Sequence, residues 1–322
     1  MGVSDVRHVR VFAVVALSFL IVALPACDGE GSGEAATPSE PAPEVTTPAG
    51  DDASMPPANE APAALLTAED YDPSRFDETS TTIDNQWFPM QPGTQWIYKG
   101  STKEGKDRVH HRVVFTVTDL TKVIDGVRTL VIWDQDFTEG ELVETELALF
   151  AQDTEGNIWH FGQYPEEYED GKFDKAPAWV AGFEGARTGI TMKADPELGT
   201  PDYSQGFAPP PINWIDRARV YKVGEQTCVP YDCFENVLVT EEFEVDKPDA
   251  FQLKFYAPGV GNVRVGWRGA EEKERERLVL VDVVQLDGDA MAQVRAEASA
   301  LDERGYTRAE GSWGRTPPLE PL

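Results

Sequence analysis

The stretch Arg112–Trp133 reads RVVFTVTDLTKVIDGVRTLVIW and contains the clearest fold signal in the chain. Apolar residues recur at every second position within 113–117, and Val127, Thr129, Val131 and Trp133 alternate in the same way. A period of two is typical of a β-strand that buries one face. Asp125-Gly126, between the two runs, is a strong signal for a two-residue hairpin turn. The stretch therefore predicts two antiparallel strands joined by a tight turn.

The same kinds of signal continue on the C-terminal side of this hairpin. Turn residues follow at 139–140 and at 154–157, and each turn separates two apolar runs. Further strands are predicted over 142–150, 158–161, 220–227, 234–245, 251–257, 262–267 and 277–286. We therefore predict a mainly β fold, a single domain of consecutive antiparallel strands that form a curved sheet or an open barrel.

Two segments of the domain lack the strand pattern. Residues 164–211 are irregular but rich in aromatic side chains, and we expect them to pack over one edge or mouth of the sheet. Near the end of the chain, Asp289 can cap a helix over 290–304, which Gly305 would end. We therefore expect one C-terminal helix.

The N-terminal residues 1–26 have the pattern of a bacterial signal peptide. The apolar run Val11–Leu24 is too short to cross a membrane, which takes about 20 residues, and a basic head precedes it. Leu24 and Ala26 before Cys27 resemble a lipobox, in which the cysteine is acylated and becomes the mature N-terminus. The alternative is an ordinary signal peptide that is cleaved near a cysteine. The lipobox predicts an exported protein, lipid-anchored through Cys27 on the extracytoplasmic (periplasmic) face of the cell membrane.

An acidic, proline-rich segment follows the cysteine. Residues 28–80 contain 13 Asp and Glu against one base, Arg75, and few apolar groups. Such a composition cannot offset the entropy of folding, so we predict a disordered tether over 27–80. The β domain with its helix would then occupy 81–305, and 306–322 would be a flexible tail.

Cys228 and Cys233 are the two cysteines that remain beside Cys27. An exported chain meets an oxidising compartment, so we predict a structural disulfide between them. The alternative is a redox pair or a metal site. However, the C-x₄-C spacing and the lack of a nearby histidine favour the disulfide.

The formal net charge of the chain is −29. A strongly acidic protein is repelled by other polyanions, so this charge argues against binding of nucleic acid. It also argues against binding of an anionic bilayer through the protein part. Most of the acids are expected to lie on a solvated surface.

Three segments resemble those of a group of bacterial exported proteins and lipoproteins for which no activity is known. The motifs are PGTxWxY at 92–98, FAQDxxGNxWxFG at 150–162 and YAPGVG at 256–261. The similarity covers roughly 84–286. It implies a curved antiparallel sheet related to those of lipoprotein carriers, and it implies no activity.

The usual catalytic and metal-binding motifs are missing from the sequence. His110 and His111 are adjacent in a predicted strand and therefore point to opposite faces, and His160 has no second ligand nearby. The pair Asp134/Asp136 fails the calcium-loop pattern, because position 139 carries Glu in place of Gly. The sequence therefore predicts no catalytic residue, no cofactor and no metal site.

The resulting hypothesis is a membrane-anchored lipoprotein whose β domain binds a small apolar ligand or an envelope protein without catalysis. The enzyme alternative is a cell-envelope hydrolase built on carboxylates, which would need acids converging in a cleft with shifted pKa values. A third alternative, a purely structural envelope component, predicts a filled interior.

Overall fold

The computed structural model describes residues 68–104, 106–247 and 249–322. The predicted signal peptide, Cys27 and the segment up to residue 67 lie outside these ranges. Within them, fifteen strands belong to one sheet. Their bounds are β1 Thr94–Glu104, β2 Asp107–Ile124, β3 Val127–Thr138, β4 Glu141–Gln152, β5 Ile158–Glu169, β6 Lys172–Lys175, β7 Trp179–Val180, β8 Gly189–Met192, β9 Tyr203–Ser204, β10 Asp216–Cys228, β11 Cys233–Glu244, β12 Phe251–Ala257, β13 Gly261–Arg268, β14 Arg277–Gln285 and β15 Glu320–Pro321.

The predicted fold class is confirmed: the protein is mainly β, with consecutive antiparallel strands and one C-terminal helix, α1 (Gly288–Arg308). The strand order is β6-β5-β4-β3-β2-β1-β14-β13-β12-β11-β10-β9, so the sheet is open. It consists of two meanders that meet where β1 pairs with β14, as in the pair Trp96↔Val283. The hairpin at Asp125-Gly126 joins β2 to β3 as predicted, with both turn residues at positive φ.

The sheet buries apolar side chains on both faces. Because side chains alternate along a strand, Val113, Phe115 and Val117 of β2 enter one core. We call this side of the sheet the concave face and the opposite side the convex face. A second core lies on the convex face, where Leu301 of α1 and Trp313 pack over Leu147 and Leu149 of β4. Both cores exclude water from the sheet and stabilise it by the hydrophobic effect.

Helix α1 differs from its prediction at both ends. Asp287, not Asp289, is the N-cap, and its side chain accepts a hydrogen bond from the backbone of Ala290. Gly305 does not end the helix but lies inside it. A Cβ at Gly305 would be 2.4 Å from Cδ1 of Trp313, so glycine gives this tryptophan room to pack on the helix.

The prediction of a flexible tail over 306–322 is wrong. Trp313 is fully buried, and β15 pairs with β2 through Glu320↔Thr121. The backbone N–H of Leu322 donates to the carbonyl of Asp119. One buried tryptophan supplies enough apolar surface to hold the segment against the sheet.

The predicted domain start at residue 81 is also too late. Tyr71 and Phe76 pack against Trp159 and Phe161, with ring centroids 5.4 to 6.1 Å apart. Ser80 is buried as well. The two aromatic rings outweigh the acidic composition of 68–80, so these residues belong to the folded domain.

The excursion 164–211 packs back onto the sheet, as we expected. β7 and β8 both pair with β5, and β9 pairs with β10. Gly162 permits the close approach of β7, because a Cβ there would be 2.5 Å from the carbonyl oxygen of Trp179. In the described part of the chain, no helix is long and apolar enough to span a membrane.

Candidate functional site

The concave face carries a buried group of acids and a histidine that we call the acid cluster. Its members are His111, Asp134, Asp136, Glu144, Glu146 and Glu276. Asp136 pairs with Val113 across β2 and β3, and Val113 belongs to the concave core, so both side chains point inward. The pairs Asp134↔Glu146 and Asp136↔Glu144 continue the same face onto β4. Four carboxylates therefore lie side by side on two neighbouring strands.

His111 supplies the positive charge of this cluster. Its Nδ1 lies 2.8 Å from Oε1 of Glu276, and its Nε2 lies 3.6 Å from Oδ2 of Asp136. Burial alone would lower the pKa of His111, but the two carboxylates outweigh burial and raise this pKa to about 10. His111 is therefore an imidazolium at neutral pH.

One imidazolium does not compensate all the carboxylates. Burial raises the pKa of Asp136 to about 6, although His111 opposes this change. Burial, followed by the neighbouring carboxylates, raises the pKa values of Glu144 and Glu146 well above the ordinary range. Both carboxylate oxygens of Glu146 are buried without a hydrogen-bond partner. The cluster therefore favours protonated carboxyl groups.

The cluster is closed to solvent, since Asp134, Asp136 and Glu146 are each 1% exposed. Across the described ranges, no group of three or more His, Cys, Asp or Glu residues is arranged to hold a metal ion. The arrangement brings acids with shifted pKa values together, as the hydrolase alternative requires. It does not place them in an open cleft.

The opposite, convex face of the same strands carries basic side chains that are exposed or, at Arg112, half-buried. In one cross-strand row, Arg264 of β13 pairs with Val279 of β14, Val279 with Lys99 of β1, and Lys99 with Arg112 of β2. Arg277 lies one row away, opposite Ser101. These side chains point outward because their strand neighbours belong to the concave core. We call Lys99, Arg112, Arg264 and Arg277 the cationic strip.

Aromatic rings, not carboxylates, support the arginines of the cationic strip. Arg112 lies 4.9 Å from the ring centre of Phe137, and Arg264 lies 4.9 Å from that of Phe255. No member of the strip forms an ion pair with another described residue. A ring fixes the plane of a guanidinium while its N–H groups stay available to an anion.

A groove of about 240 Å³ adjoins Lys99 and Arg112, with Phe137 and His110 in its wall. His110 is exposed, and its side chain and backbone contact the carboxylate of Glu139. His110 therefore faces outward whereas His111 faces inward, as their adjacent positions in a strand predicted.

The other residues that the sequence singled out lie elsewhere. Cys228 and Cys233 form a disulfide at the turn between β10 and β11. His160 is buried among Phe150, Trp179 and Trp214, and burial lowers its pKa to about 3. Neutral at physiological pH, it acts as part of the packing. Cys27 lies outside the described residues.

Sequence reasoning missed the acid cluster, although a signal for it was present. Asp134 and Asp136 precede the turn at Glu139-Gly140, and Glu144 and Glu146 follow it. Both pairs have the spacing of two that places side chains on one face of a strand. Two such pairs across one hairpin predict four acids on a common face.

Comparisons with known proteins give distant likenesses only. No protein-family model matches the chain, and no curated protein matches it. One similar solved structure, from Bacteroides fragilis, is described as an exported protein with a YmcC-like fold; it has a TM-score of 0.38 and 15% identity over 62% of this chain and 99% of that chain. Another, from Parabacteroides distasonis, is described as a lipoprotein; it has a TM-score of 0.34 and 12% identity over 62% of this chain and 99% of that one.

Proposed function

We propose that this protein is a lipoprotein, anchored through acylated Cys27 to the extracytoplasmic face of the cell membrane, whose β domain binds an acidic envelope protein without catalysis. The observation that carries the proposal is the cationic strip. Its arginines are oriented by aromatic rings and form no ion pair with another described residue. A row of oriented, unpaired guanidinium groups suits bidentate binding of carboxylates.

The arrangement of charge also supports an acidic partner. Residues 68–322 contain 48 acids and 26 bases, which gives a net charge of −22. A local basic surface on such a protein attracts an acidic segment at short range, within a Debye length of about 8 Å at physiological salt. Beyond that range, the overall negative charge disfavours nonspecific polyanions, including nucleic acid.

The concave face supports the alternatives less well. A small apolar ligand would need an open apolar trough, but Tyr98, Phe115 and Phe150 of the concave core are buried by packing. A carboxylate-based hydrolase would need its acids to meet substrate and water, whereas the acid cluster is closed. We therefore assign binding to the cationic strip, and the buried acid cluster takes no part in it.

The binding part is tested with a fluorescent synthetic peptide of twelve residues, rich in Glu, in an anisotropy titration at low salt. We expect binding that the double variant Arg112→Gln/Arg264→Gln weakens at least about tenfold, which corresponds to 1.4 kcal/mol. The double variant Arg187→Gln/Arg315→Gln is the matched control, because these arginines also stack on rings, Phe207 and Phe183, outside the strip. Equal weakening in both variants would contradict the proposal, as would no peptide binding by a chain that begins at residue 68.

The anchor is tested separately by cell fractionation. Cys27→Ser removes the thiol that acylation needs, so the variant should leave the membrane fraction or stay unprocessed. If the variant is as membrane-bound as the parent protein, the lipobox interpretation is wrong.

A further inference from the structure

We infer that the acidic segment 28–67 of this same chain binds the cationic strip and thereby competes with the partner of that surface. The inference rests on the proposed function, since it concerns regulation of the same surface. It names an occupant whose charge is read directly from the sequence.

Charge complementarity is the first argument. Residues 28–67 contain eight acids and no Lys or Arg. The cationic strip offers three charges in one cross-strand row, at Arg264, Lys99 and Arg112. Arg264 and Lys99 are two strands apart, about 10 Å, and Lys99 and Arg112 are neighbours at about 5 Å. An extended acidic segment that crosses the strands can place its carboxylates at such intervals, because side chains on one of its faces recur every 7 Å or so.

The position of the start of the domain also supports the contact. Glu69 accepts a hydrogen bond from the backbone of Ser204 and lies 3.7 Å from Lys193, so residue 68 is close to β9. In the strand order, β9 and β14 are separated by five steps. Five steps correspond to about 24 Å along the sheet. Forty residues of random coil would span about 35 Å r.m.s., so the segment is long enough to reach the strip.

The covalent connection of the segment to the domain supports the contact as well. A segment joined to the domain by its own chain has an effective concentration in the millimolar range. Even a weak electrostatic contact is then substantially occupied, particularly at low ionic strength. An external acidic partner must displace the segment, so neutralising the segment should increase the apparent affinity for that partner.

Carbodiimide cross-linking tests this contact, because the reagent joins a carboxylate to a nearby lysine amine as an amide. Lys99 is the lysine of the cationic strip. Lys172 on β6 is the matched control, since it is also exposed and β6 adjoins β5, against which Tyr71 packs near the start of the described chain. Lys172 pairs with Glu169, eight residues along β5 from Phe161, so it lies about 26 Å from the start of the domain, much as the strip does. Random collisions of the segment would therefore reach Lys172 and Lys99 about equally, whereas the inferred contact favours Lys99.

The experiment uses the chain from residue 28 to 322, with cross-linked peptides counted by mass spectrometry. We expect segment 28–67 to be joined to Lys99 at least about threefold more often than to Lys172 in 20 mM salt. The preference should disappear in 500 mM salt and in the double variant Arg112→Gln/Arg264→Gln, because both weaken the electrostatic attraction. It should not change on tenfold dilution of the protein, because the contact is intramolecular.

Two results would overturn the inference. One is a yield at Lys99 no greater than at Lys172. The other is a yield that falls on dilution, which would mean that a second copy supplies the acidic segment. Either result leaves the proposed function intact if the Glu-rich peptide still binds the cationic strip. The opposite pair of results would contradict the proposed function alone. These results are a strong Lys99 cross-link, and no peptide binding even by a chain in which all eight acids of the segment are changed to Asn or Gln.

Discussion

The ammonium group of Lys122 lies 2.7 Å from Oδ1 of Asp302 in the convex core, and the two residues are 1% and 4% exposed. This ion pair joins β2 to α1. The ammonium also lies 3.1 Å from the hydroxyl of Tyr306 and 4.7 Å from the ring centre of Trp313. Asp302 in turn accepts a hydrogen bond from Nε1 of Trp313. The pair thus connects sheet, helix and C-terminal segment in one polar network within an apolar layer.

Removing one member of this pair should destabilise the protein strongly. In Lys122→Met the carboxylate of Asp302 stays buried without its counter-charge, and we expect a loss of about 3 kcal/mol or more. Urea denaturation measures the loss. The exposed Lys172→Met is the control and should change stability by less than about 0.5 kcal/mol. Lys122→Met/Asp302→Asn should be more stable than the single variant, since Asn leaves no buried charge. A small effect of Lys122→Met would mean that water reaches the pair.

Stability should depend on pH in two opposite ways. The pKa values of Asp136 and Glu244 are raised to about 6 and about 7, so the folded state binds more protons than the unfolded state above pH 4. Stability from these groups is full below their unfolded pKa and is lost as the pH rises through 6 and 7. His111, raised to about 10, extends the loss to higher pH. His160, lowered to about 3, causes the opposite loss as the pH falls from 6.5 to 3.

Above pH 5 the groups with raised pKa values outweigh His160, so the balance predicts a melting temperature that falls from pH 5 to pH 9. Calorimetric melting between pH 4 and pH 9 measures it. A melting temperature that rises steadily from pH 5 to pH 8 would show that the buried carboxyl groups are ionised at little cost.

Glu146→Gln should stabilise the protein at pH 8. The substitution keeps the shape of the side chain but removes a carboxylate whose pKa burial and neighbouring acids raise. We expect the melting temperature to rise by about 3 °C or more, the shift that 1 kcal/mol gives in a domain of this size. At pH 4.5 the gain should largely vanish, because Glu146 is then protonated. The exposed Glu197→Gln is the matched control and should have no effect at either pH. Destabilisation at pH 8 would indicate that the Glu146 carboxylate has a favourable partner.

The disulfide between Cys228 and Cys233 should add a modest amount of stability. It joins cysteines five positions apart, and closing so short a loop in the unfolded chain is worth about 2 kcal/mol. The double variant Cys228→Ser/Cys233→Ser should lose this amount in urea denaturation. Alkylation without reductant should block neither thiol of the native protein. Two blocked thiols would contradict the disulfide.

The folded domain should begin near residue 68. Deleting 30–60 should change the melting temperature little, because no core contact is expected there. Phe76→Ala should cost about 2 kcal/mol, since it removes a ring packed on Trp159 and Phe161. Limited proteolysis should give a resistant fragment that starts between about 65 and 80. A fragment that starts beyond residue 80 would place Tyr71 and Phe76 outside the stable domain.

The fold was predictable because it depends on local alternation. The runs 113–117 and 127–133, with Asp125-Gly126 between them, define a hairpin without any long-range information. The pairing of β1 with β14 was not predictable, since residues nearly 190 positions apart in sequence share no local signal. The buried tail was missed for a similar reason. Trp313 lies among Gly, Ser and Pro, and its position is explained by the space that Gly305 leaves on the helix.

The candidate site was less predictable than the fold. Motif searches look for residues that are close in sequence. His111 lies on β2, Asp136 on β3, and Glu276 directly before β14, so the three are far apart along the chain. The cationic strip is likewise assembled from four strands by register alone. Its members are scattered through a chain whose net charge is −29, so the overall composition gives no sign of a basic surface. Burial and register, which the sequence does not report directly, determine both sites.

The pairing of β1 with β14 also has a consequence for the time course of folding. Trp96 finds its partner Val283 only after almost the whole domain has been synthesised. Until then β1 is the open edge of a half-sheet, and an unpaired edge is prone to pair with another chain. Contacts of such long range slow folding to milliseconds or seconds. A chain in which the second meander is truncated should therefore accumulate as an aggregation-prone half-sheet, and rapid completion of the sheet is what keeps β1 protected.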